Sequence, residues 1–142
     1  MIDALTEQSC IFCKIVRKES PATIVYEDRD VLAFLDIYPQ NDGHTLVAPK
    51  KHYTTIYEVP DEEVARLYKV AKKIACAVKR SVNAGGISIT QHNEAGAGQD
   101  IFHVHVHVIP RYEGQRLRRI EEIPEANREK LEEIAKKIRQ SL

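Results

Sequence analysis

The clearest alternation of polar and apolar positions in this chain runs from His103 to Val108, where three histidines alternate with three valines. A period of 2 with β-branched residues is typical of a β-strand that carries its two residue types on opposite faces. We therefore predict a strand over residues 101–109, with His103, His105 and His107 on one face. Because residues i and i+2 of a strand lie about 7 Å apart, the three imidazoles should form one row.

Four further stretches rich in apolar and β-branched residues predict strands over residues 24–28, 31–36, 44–49 and 87–90. The first two are separated by turn residues and predict a hairpin. Residues 38–43 contain proline, asparagine and glycine, which are typical of a loop, and a second loop with glycines is expected over residues 93–98.

Two stretches have apolar residues at helical spacing. The first begins near Asp61, just after Pro60, and ends at residues 83–86, where a glycine can adopt the left-handed capping conformation. Its predicted buried stripe is Val64, Leu67, Tyr68, Ala71, Ile74, Ala75 and Val78. The second helix is predicted over residues 124–139, with the apolar face Leu131, Ile134, Ala135 and Ile138. Strands joined by hairpins and loops, with few helices, indicate an α+β fold with an antiparallel sheet.

The composition agrees with one globular domain of 142 residues, of which 43% are hydrophobic and 30% charged. Twenty-one basic residues balance 21 acidic ones, so bulk charge gives no reason to expect a nucleic-acid or membrane-surface partner. No apolar run approaches the roughly 20 residues that span a bilayer, and the first residues lack the features of a signal peptide. The odd number of cysteines, three, favours a reducing, cytoplasmic location.

The histidine row, together with His44 behind Gly43 and a loop at Gly98 and Gln99, has the residue types of a nucleophilic site for phosphorus. A neutral imidazole can attack with one nitrogen while the other donates its proton to a fixed acceptor, which sets the tautomer. A neighbouring histidine can pass a proton to the leaving group near neutral pH. Backbone N–H groups of a glycine loop can hold the phosphate oxygens.

Two segments carry a specific resemblance to a known family, LDIYPQNDGHTLVAPKKH at residues 35–52 and AGQDIFHVHVHVIPR at residues 97–111. Over residues 10–111 the chain resembles the histidine-triad (HIT) superfamily of nucleotide hydrolases and transferases, most of all its Hint-like prokaryotic branch. The resemblance implies a five-stranded antiparallel sheet with two main helices, and a homodimer. It also implies one HIT domain over residues 1–142, whose C-terminal extension holds the helix at residues 124–139.

The implied activity is cleavage at the α-phosphorus of purine nucleoside phosphoramidates or related nucleotidyl compounds, through a nucleotidyl-histidine intermediate. Residue by residue, the resemblance makes His105 the nucleophile, with His107 and His44 as catalytic partners, and places the ribose hydroxyls on Asp36. The loop that contacts the phosphate and leaving group matches Gly98, Gln99, Asp100 and Ile101. The implied base pocket is lined by Phe12, Leu35 and Ile37, although ordinary core packing accounts nearly as well for Phe12 and Leu35.

One position departs from the family pattern. His92 stands where many relatives carry an amide side chain that touches the phosphate. We assign His92 to the substrate-binding residues. The alternative is a surface-loop histidine with no role, and the leaving-group preference depends on which assignment holds.

Cys10 and Cys13 form a C-x-x-C motif, which serves in redox chemistry or in metal binding. A thioredoxin-like role requires the pair to open a helix in a βαβ unit, which the pattern does not indicate. A structural zinc site needs four ligands, and the resemblance supplies His52 and His103 as the other two. The alternative is a pair of reduced cysteines packed as small hydrophobic residues. Cys76 lies beside the helix stripe, which favours buried packing or a dimer surface.

Three other functions remain compatible with the sequence. A dinucleoside polyphosphate hydrolase or phosphorylase would use the same strand with a different leaving group. A zinc hydrolase would hold a catalytic metal on the histidine cluster and activate water. A zinc-braced nucleotide-binding or interaction module would bind nucleotide without turnover, although binding alone needs no row of imidazoles.

Overall fold

The chain forms a five-stranded antiparallel sheet with three α-helices, seen in a computed structural model that describes residues 7–142. The spatial order of the strands is β1-β2-β3-β5-β4. The strands are β1 (Ile24–Glu27), β2 (Val31–Leu35), β3 (Thr45–Pro49), β4 (Gly86–Thr90) and β5 (Val106–Arg111). The helices are α1 (Ile11–Val16), α2 (Asp61–Ser81) and α3 (Arg128–Gln140). The predicted α+β class, the antiparallel sheet and its hairpin are thereby confirmed.

The sheet is buried on both faces in its centre, which explains why β2 is apolar at every position. Val31, Ala33 and Leu35 pack into one core together with α2 and α3. The alternate positions, Leu32 and Phe34, pack into a second, smaller core with α1. Successive side chains of a strand point to opposite faces, so one strand serves both cores.

The smaller core covers only part of its face of the sheet. On that face β3 presents Leu46, which is paired in register with His107 of β5. Val106 and Val108, which flank His107, point to the opposite face and belong to the core under α2 and α3. The alternation of valine and histidine therefore places the valines in the large core and His107 on the partly open face.

The predicted histidine strand is too long at its start, because regular strand structure begins only at Val106. The backbone N–H of Val104 donates to the carbonyl of Tyr53 at 2.7 Å, in a loop rather than in the sheet. His103 and His105 thus precede β5 instead of lying in it. The prediction of three histidines on one strand is corrected to one strand residue and two residues of an extended approach to the strand.

The buried stripe of α2 differs from the predicted one at its edges. Leu67, Ala71, Ile74 and Val78 are buried as predicted, and Val70 and Ala77 join them, whereas Tyr68 is 37% exposed. The buried positions follow a regular helical spacing from Leu67 to Val78, and Tyr68 lies at the edge of that stripe. Cys76 is exposed, which corrects the expectation of buried packing. Within residues 7–142 no helix is both long and apolar enough to cross a bilayer.

The ends of the two long helices are set by asparagines. The left-handed residue after α2 is Asn83, with φ +52°, and not one of the glycines that follow it. An asparagine tolerates this conformation because its short polar side chain can bond locally. Helix α3 begins at Arg128 rather than at residue 124, because the Asn127 side chain accepts hydrogen bonds from the N–H groups of Glu129 and Lys130 and so caps it.

Truncation of the large core should destabilise the fold. We expect Ile74→Ala, at a fully buried position of α2, to lower the free energy of unfolding by about 2–5 kcal/mol. Lys72→Ala, on the exposed side of the same helix, is the matched control and should change it by less than about 0.5 kcal/mol. Urea unfolding followed by circular dichroism measures both values. Equal effects of the two substitutions would contradict the assignment of this helix face to the core.

Candidate functional site

A cavity of about 430 Å³ opens on the face of the sheet opposite α2 and α3, between α1 and the ends of β2 and β5. Phe12 and Ile37 form part of its apolar wall, as the base-pocket prediction requires. The carboxyl, imidazole and guanidinium groups at the cavity are those of Asp36, Asp100, His105, His107 and Arg128. An apolar slot with a few convergent polar groups is the usual form of a small-molecule site.

His105 is held in one tautomer by the backbone just before it. Its Nδ1 lies 2.7 Å from the carbonyl oxygen of His103, which can only accept, so Nδ1 carries the proton. The other nitrogen, Nε2, therefore keeps its lone pair. The ring is 5% exposed and contacts Phe12 edge-on, with a centroid separation of 5.1 Å. The result is a neutral imidazole that is fixed in orientation and has one free basic nitrogen.

His44 and His107 form a chain of hydrogen bonds whose direction the backbone decides. The N–H of Gln40 donates to His44 Nδ1 at 3.1 Å, so the proton of His44 is on Nε2. That proton is donated to His107 Nδ1 at 2.9 Å, which leaves the proton of His107 on its own Nε2. Gly43 allows this arrangement, because its φ of +102° suits glycine and a Cβ there would lie 3.2 Å from Val82 Cγ1.

Burial keeps both members of this chain neutral. Burial, reinforced by the neighbouring imidazoles, lowers the pKa of His44 to about 3. The same causes lower the pKa of His107 to about 4. Burial also lowers the pKa of His105, against the opposing effect of its bond to the His103 carbonyl. At neutral pH these side chains therefore donate and accept hydrogen bonds as uncharged rings.

Asp36 follows β2 and stands beside the His44–His107 chain. Its Oδ1 accepts the N–H of Tyr38 at 2.8 Å, and its Oδ2 lies 3.5 Å from His44 Nε2. Burial raises the pKa of the Asp36 carboxyl to about 6, although the Tyr38 bond works in the other direction. A carboxylate with accepting capacity left at the cavity wall can bind vicinal hydroxyls.

The predicted phosphate loop lies close to His105, and the side chain of Gln99 in this loop bonds to backbone groups of the protein. The Gln99 amide is buried and bonds Glu94 N–H at 2.6 Å and the carbonyls of Thr54 and Ile101 at 2.7 and 3.1 Å. It therefore braces the loop, and both of its amide N–H donors are used within the protein. Asp100 lies 4.0 Å from His105 Nε2 and accepts the Ile101 N–H.

His92 is half-buried and packs against His107, with the ring centroids 5.7 Å apart. It follows β4, in which Thr90 is paired in register with His107. The sheet thus brings a fourth imidazole to His44, His105 and His107. His92 therefore lies beside β5 and in contact with His107.

The second cluster consists of Cys10, Cys13, His52 and His103, whose donor atoms all lie within 4.8 Å of one another. Cys10 caps the N-terminus of α1, and its Sγ lies 3.4 Å from His103 Nδ1. Cys13 Sγ lies 3.3 Å from His52 Nδ1 and 3.6 Å from His103 Nδ1. Two thiols and two imidazoles at these separations form a donor set suited to tetrahedral zinc.

The tautomer of His103 fits metal binding. Its Nε2 donates to the carbonyl of Pro49 at 2.8 Å, so the lone pair of Nδ1 points to the two cysteines. His52 also turns Nδ1 to the cluster, while its Nε2 is buried without a partner among residues 7–142. Burial, followed by the hydrogen bond to Cys10, raises the pKa of the Cys13 thiol to about 12 in the absence of metal.

Asp36, His44 and His107 form a second group whose donor atoms are close enough to hold a metal ion. Their hydrogen bonds oppose that use. A metal on His44 Nε2 would require the proton to move to Nδ1, where the Gln40 N–H already donates. Two N–H groups would then face each other, so the chain of donors is incompatible with a metal at His44. This argues against the zinc hydrolase alternative.

The comparisons with known proteins agree with this geometry. Residues 17–114 match the family described as the HIT domain. The chain belongs to the HIT family.

Two curated relatives illustrate the range of the family. An uncharacterized HIT-like protein of Methanocaldococcus jannaschii is 53% identical over 105 residues, which cover 74% of this chain and 81% of that protein. The adenylylsulfatase HINT3 of Arabidopsis thaliana is 41% identical over 107 residues, which cover 75% of this chain and 54% of that protein.

Solved structures share the whole fold. A HIT-like protein involved in cell-cycle regulation from Bartonella henselae, solved with an unknown ligand, has a TM-score of 0.89 at 44% identity and matches all of both chains. A Zn-bound histidine triad family protein from Mycobacterium smegmatis has a TM-score of 0.84 at 36% identity, covering 96% of this chain and 94% of that one. The likeness extends beyond the family motif into α3.

The structure brings the residues predicted from sequence into two adjoining clusters, which share the segment from His103 to His107. The sequence did not reveal the backbone partners that set the tautomers, which are the accepting carbonyls of Pro49 and His103 and the donating N–H of Gln40. A backbone group has no signature of its own in a sequence. Arg128 was also missed, because it reaches the cavity only through the docking of α3.

The neutral imidazoles give the fold a pH dependence of known sign. His44 and His107 have folded-state pKa values of about 3 and about 4, below the unfolded value of about 6.5. As the pH falls below about 6.5, the unfolded chain binds protons that the folded state does not, so the free energy of unfolding decreases. The raised pKa of Asp36 acts in the opposite direction between about pH 4 and about pH 6.

We therefore expect the free energy of unfolding to fall by about 1 kcal/mol per pH unit for each imidazole between about pH 6 and about pH 5. Urea titrations at several pH values measure this slope. In His107→Asn one of the two groups is gone, so the slope should be smaller. Parallel slopes for the wild type and this variant would mean that His107 titrates normally in the folded protein.

Proposed function

We propose that this protein is a nucleotide hydrolase that cleaves at the α-phosphorus of purine nucleoside phosphoramidates or related nucleotidyl compounds. The observation that carries the proposal is the state of His105, whose Nδ1–H is bound to the His103 carbonyl while Nε2 is free beside the cavity. A neutral, oriented imidazole of this kind is a nucleophile. An imidazole used only for binding would need no fixed tautomer.

In this proposal His105 Nε2 attacks the α-phosphorus, and the leaving group departs with the bonding electron pair. The resulting nucleotidyl-histidine carries a positive imidazole, whose Nδ1–H remains bonded to the His103 carbonyl. Water then attacks the phosphorus and releases the nucleotide. The imidazole is restored in its original tautomer, because the Nδ1 proton never leaves its acceptor.

His107 and His44 support the phosphorus centre rather than attack it. The chain from Gln40 N–H through His44 to His107 fixes the His107 proton on Nε2, next to the nucleophile, since the rings of His105 and His107 are 4.9 Å apart. A proton fixed there is a hydrogen-bond donor for a phosphate oxygen. A preorganised donor in a water-poor site stabilises developing charge more than an exposed one would.

The cavity wall accounts for nucleoside binding. In this proposal Phe12, Ile37 and Ile101 offer apolar surface to a base, and Asp36 binds the ribose hydroxyls; their presence in the cavity wall supports these roles. Gly98 and Asp100 border the phosphate position, Gln99 holds their loop, and His92 stands beside His107. The adenylylsulfatase name of the Arabidopsis relative concerns a nucleotidyl compound, which supports this substrate class.

A dinucleoside polyphosphate hydrolase or phosphorylase is the related alternative, since it differs only in the leaving group. We also propose zinc as a structural ion on Cys10, Cys13, His52 and His103. It would fix the segment before the nucleophile and supply folding free energy. A cytoplasmic homodimer, built from one HIT domain over residues 1–142, completes the proposal.

The covalent intermediate is directly testable. After brief mixing with an adenosine phosphoramidate, intact-protein mass spectrometry should show a transient gain of one adenylyl group, provided that the quench preserves a P–N bond. His105→Asn should lack the adduct and lose at least about 10³-fold in kcat, while nucleotide binding measured by calorimetry survives. An adduct of equal yield in the variant would remove His105 as the nucleophile, and full turnover without any adduct would favour direct attack by water.

The proposed zinc site predicts a separate loss. Cys13→Ser should abolish stoichiometric zinc, measured by mass spectrometry of metals, and should lower Tm by several degrees. Cys76→Ser is the control, because Cys76 is exposed on α2, and should retain both the metal and the Tm. Wild-type protein that is metal-free and equally stable with and without added zinc would overturn the site.

A further inference from the structure

Among the four imidazoles of His44, His92, His105 and His107, only that of His92 makes no hydrogen bond within residues 7–142. His105 and His44 use their protons in bonds to the His103 carbonyl and to His107. His107 keeps a proton on Nε2, but burial lowers its pKa to about 4. The ring is therefore neutral at neutral pH, and a neutral imidazole is only a weak acid. The ring of His92 has no hydrogen-bond partner among residues 7–142, and the residue is half-buried and therefore reachable from solvent.

His92 also lies where a leaving group would emerge. Nucleophile and leaving group take opposite sides of a phosphorus in an in-line displacement. The nucleoside has the apolar cavity, which His105 and His107 line and His92 does not. His92 stands outside that cavity and touches His107, with an angle of 64° between the two rings. The leaving group, which is the other substituent on phosphorus, therefore has His92 as its titratable neighbour.

The charged and titratable groups near His92 belong to β5, to the segment before it and to the loop after β4. From β5 and the segment before it come His107 and His105, and electrostatic repulsion by His92 disfavours the protonation of each. Asp100 is close to His105, with 4.0 Å between its Oδ1 and His105 Nε2. Glu94, two residues after His92, accepts a hydrogen bond from Tyr57 at 3.1 Å. Neutral His44 and His107 leave His92 without a neighbouring imidazolium.

We propose that His92 is a catalytic general acid for the leaving group, an assignment that rests on the proposed function. As His105 Nε2 forms its bond to phosphorus, the bond from phosphorus to the leaving nitrogen or oxygen breaks, and that atom keeps the electron pair and takes the proton of His92. His92 is then neutral. In the second half it accepts a proton from the attacking water, the bond from phosphorus to His105 breaks, and both imidazoles return to their starting states.

The proposal predicts that His92 matters only for leaving groups that need a proton. An amine cannot depart as an amide anion, whereas a 4-nitrophenolate departs unprotonated. We compare an adenosine 5′-phosphoramidate of an alkylamine with the 4-nitrophenyl ester of adenosine 5′-phosphate. In His92→Asn, kcat/KM for the amine substrate should fall by about 100-fold or more, and for the nitrophenyl ester by less than about 3-fold.

Asparagine is the chosen replacement because it retains a polar amide but has no titratable proton. In His92→Ala, added imidazole should restore cleavage of the amine substrate and leave cleavage of the ester unchanged. Tyr57→Phe, which removes the hydrogen bond to Glu94 in the neighbouring loop, is the control and should behave as wild type on both substrates.

The outcomes separate this proposal from the one that it rests on. If wild type cleaves both substrates and His92→Asn slows both equally, His92 contacts the phosphate only and the acid role is overturned while the hydrolase stands. No effect on either substrate would make His92 a bystander and would overturn the acid role as well. If wild type forms no adenylyl adduct and cleaves neither substrate, both proposals fall together.

Discussion

The bond from His105 Nδ1 to the carbonyl oxygen of His103 is the constraint on which the site depends. It joins two residues only two positions apart, so its geometry is set by the path of the backbone just before β5. That path is in turn fixed by the His103 side chain, which donates to Pro49 at one nitrogen and faces two cysteines at the other. One residue, His103, thus belongs to the cluster of Cys10, Cys13 and His52 and also holds the proposed nucleophile through its backbone carbonyl.

Burial accounts for the chemical state of the histidines. In water an imidazole is half protonated near pH 6.5, and both of its tautomers are populated. Inside this protein the charged form is disfavoured, and each buried ring has an acceptor or donor that selects one tautomer, as for His44 between Gln40 and His107. Buried polar groups that lack partners are costly, so the hydrogen bonds that define the chemistry also make this burial tolerable. Stability and reactivity therefore depend on the same contacts.

The two faces of the sheet differ in how they are covered. Helices α2 and α3 cover one face completely and form the large core with β2, β3 and β5. Helix α1 covers the other face in part, so the space that it leaves open becomes the cavity beside His105 and His107. Because α1 also contains Cys13 and begins next to Cys10, a metal held by this pair would hold the helix that bounds the cavity. The site is thus an opening beside the smaller core, bounded by elements that pack in the two cores of the protein.

The alternation from His103 to Val108 determined by itself that valines would be buried and that histidines would be grouped, because side chains of an extended chain alternate in direction. The apolar spacing of α2 and the hairpin of β1 and β2 were also local properties and could be predicted. Contacts that the apolar pattern does not predict decided the rest. The start of β5 depends on the bond from Val104 to Tyr53, the start of α3 on a cap at Asn127, and the tautomers on backbone atoms of Gln40, Pro49 and His103. Such atoms are identical in every residue, so only the tertiary structure reveals which of them meets an imidazole.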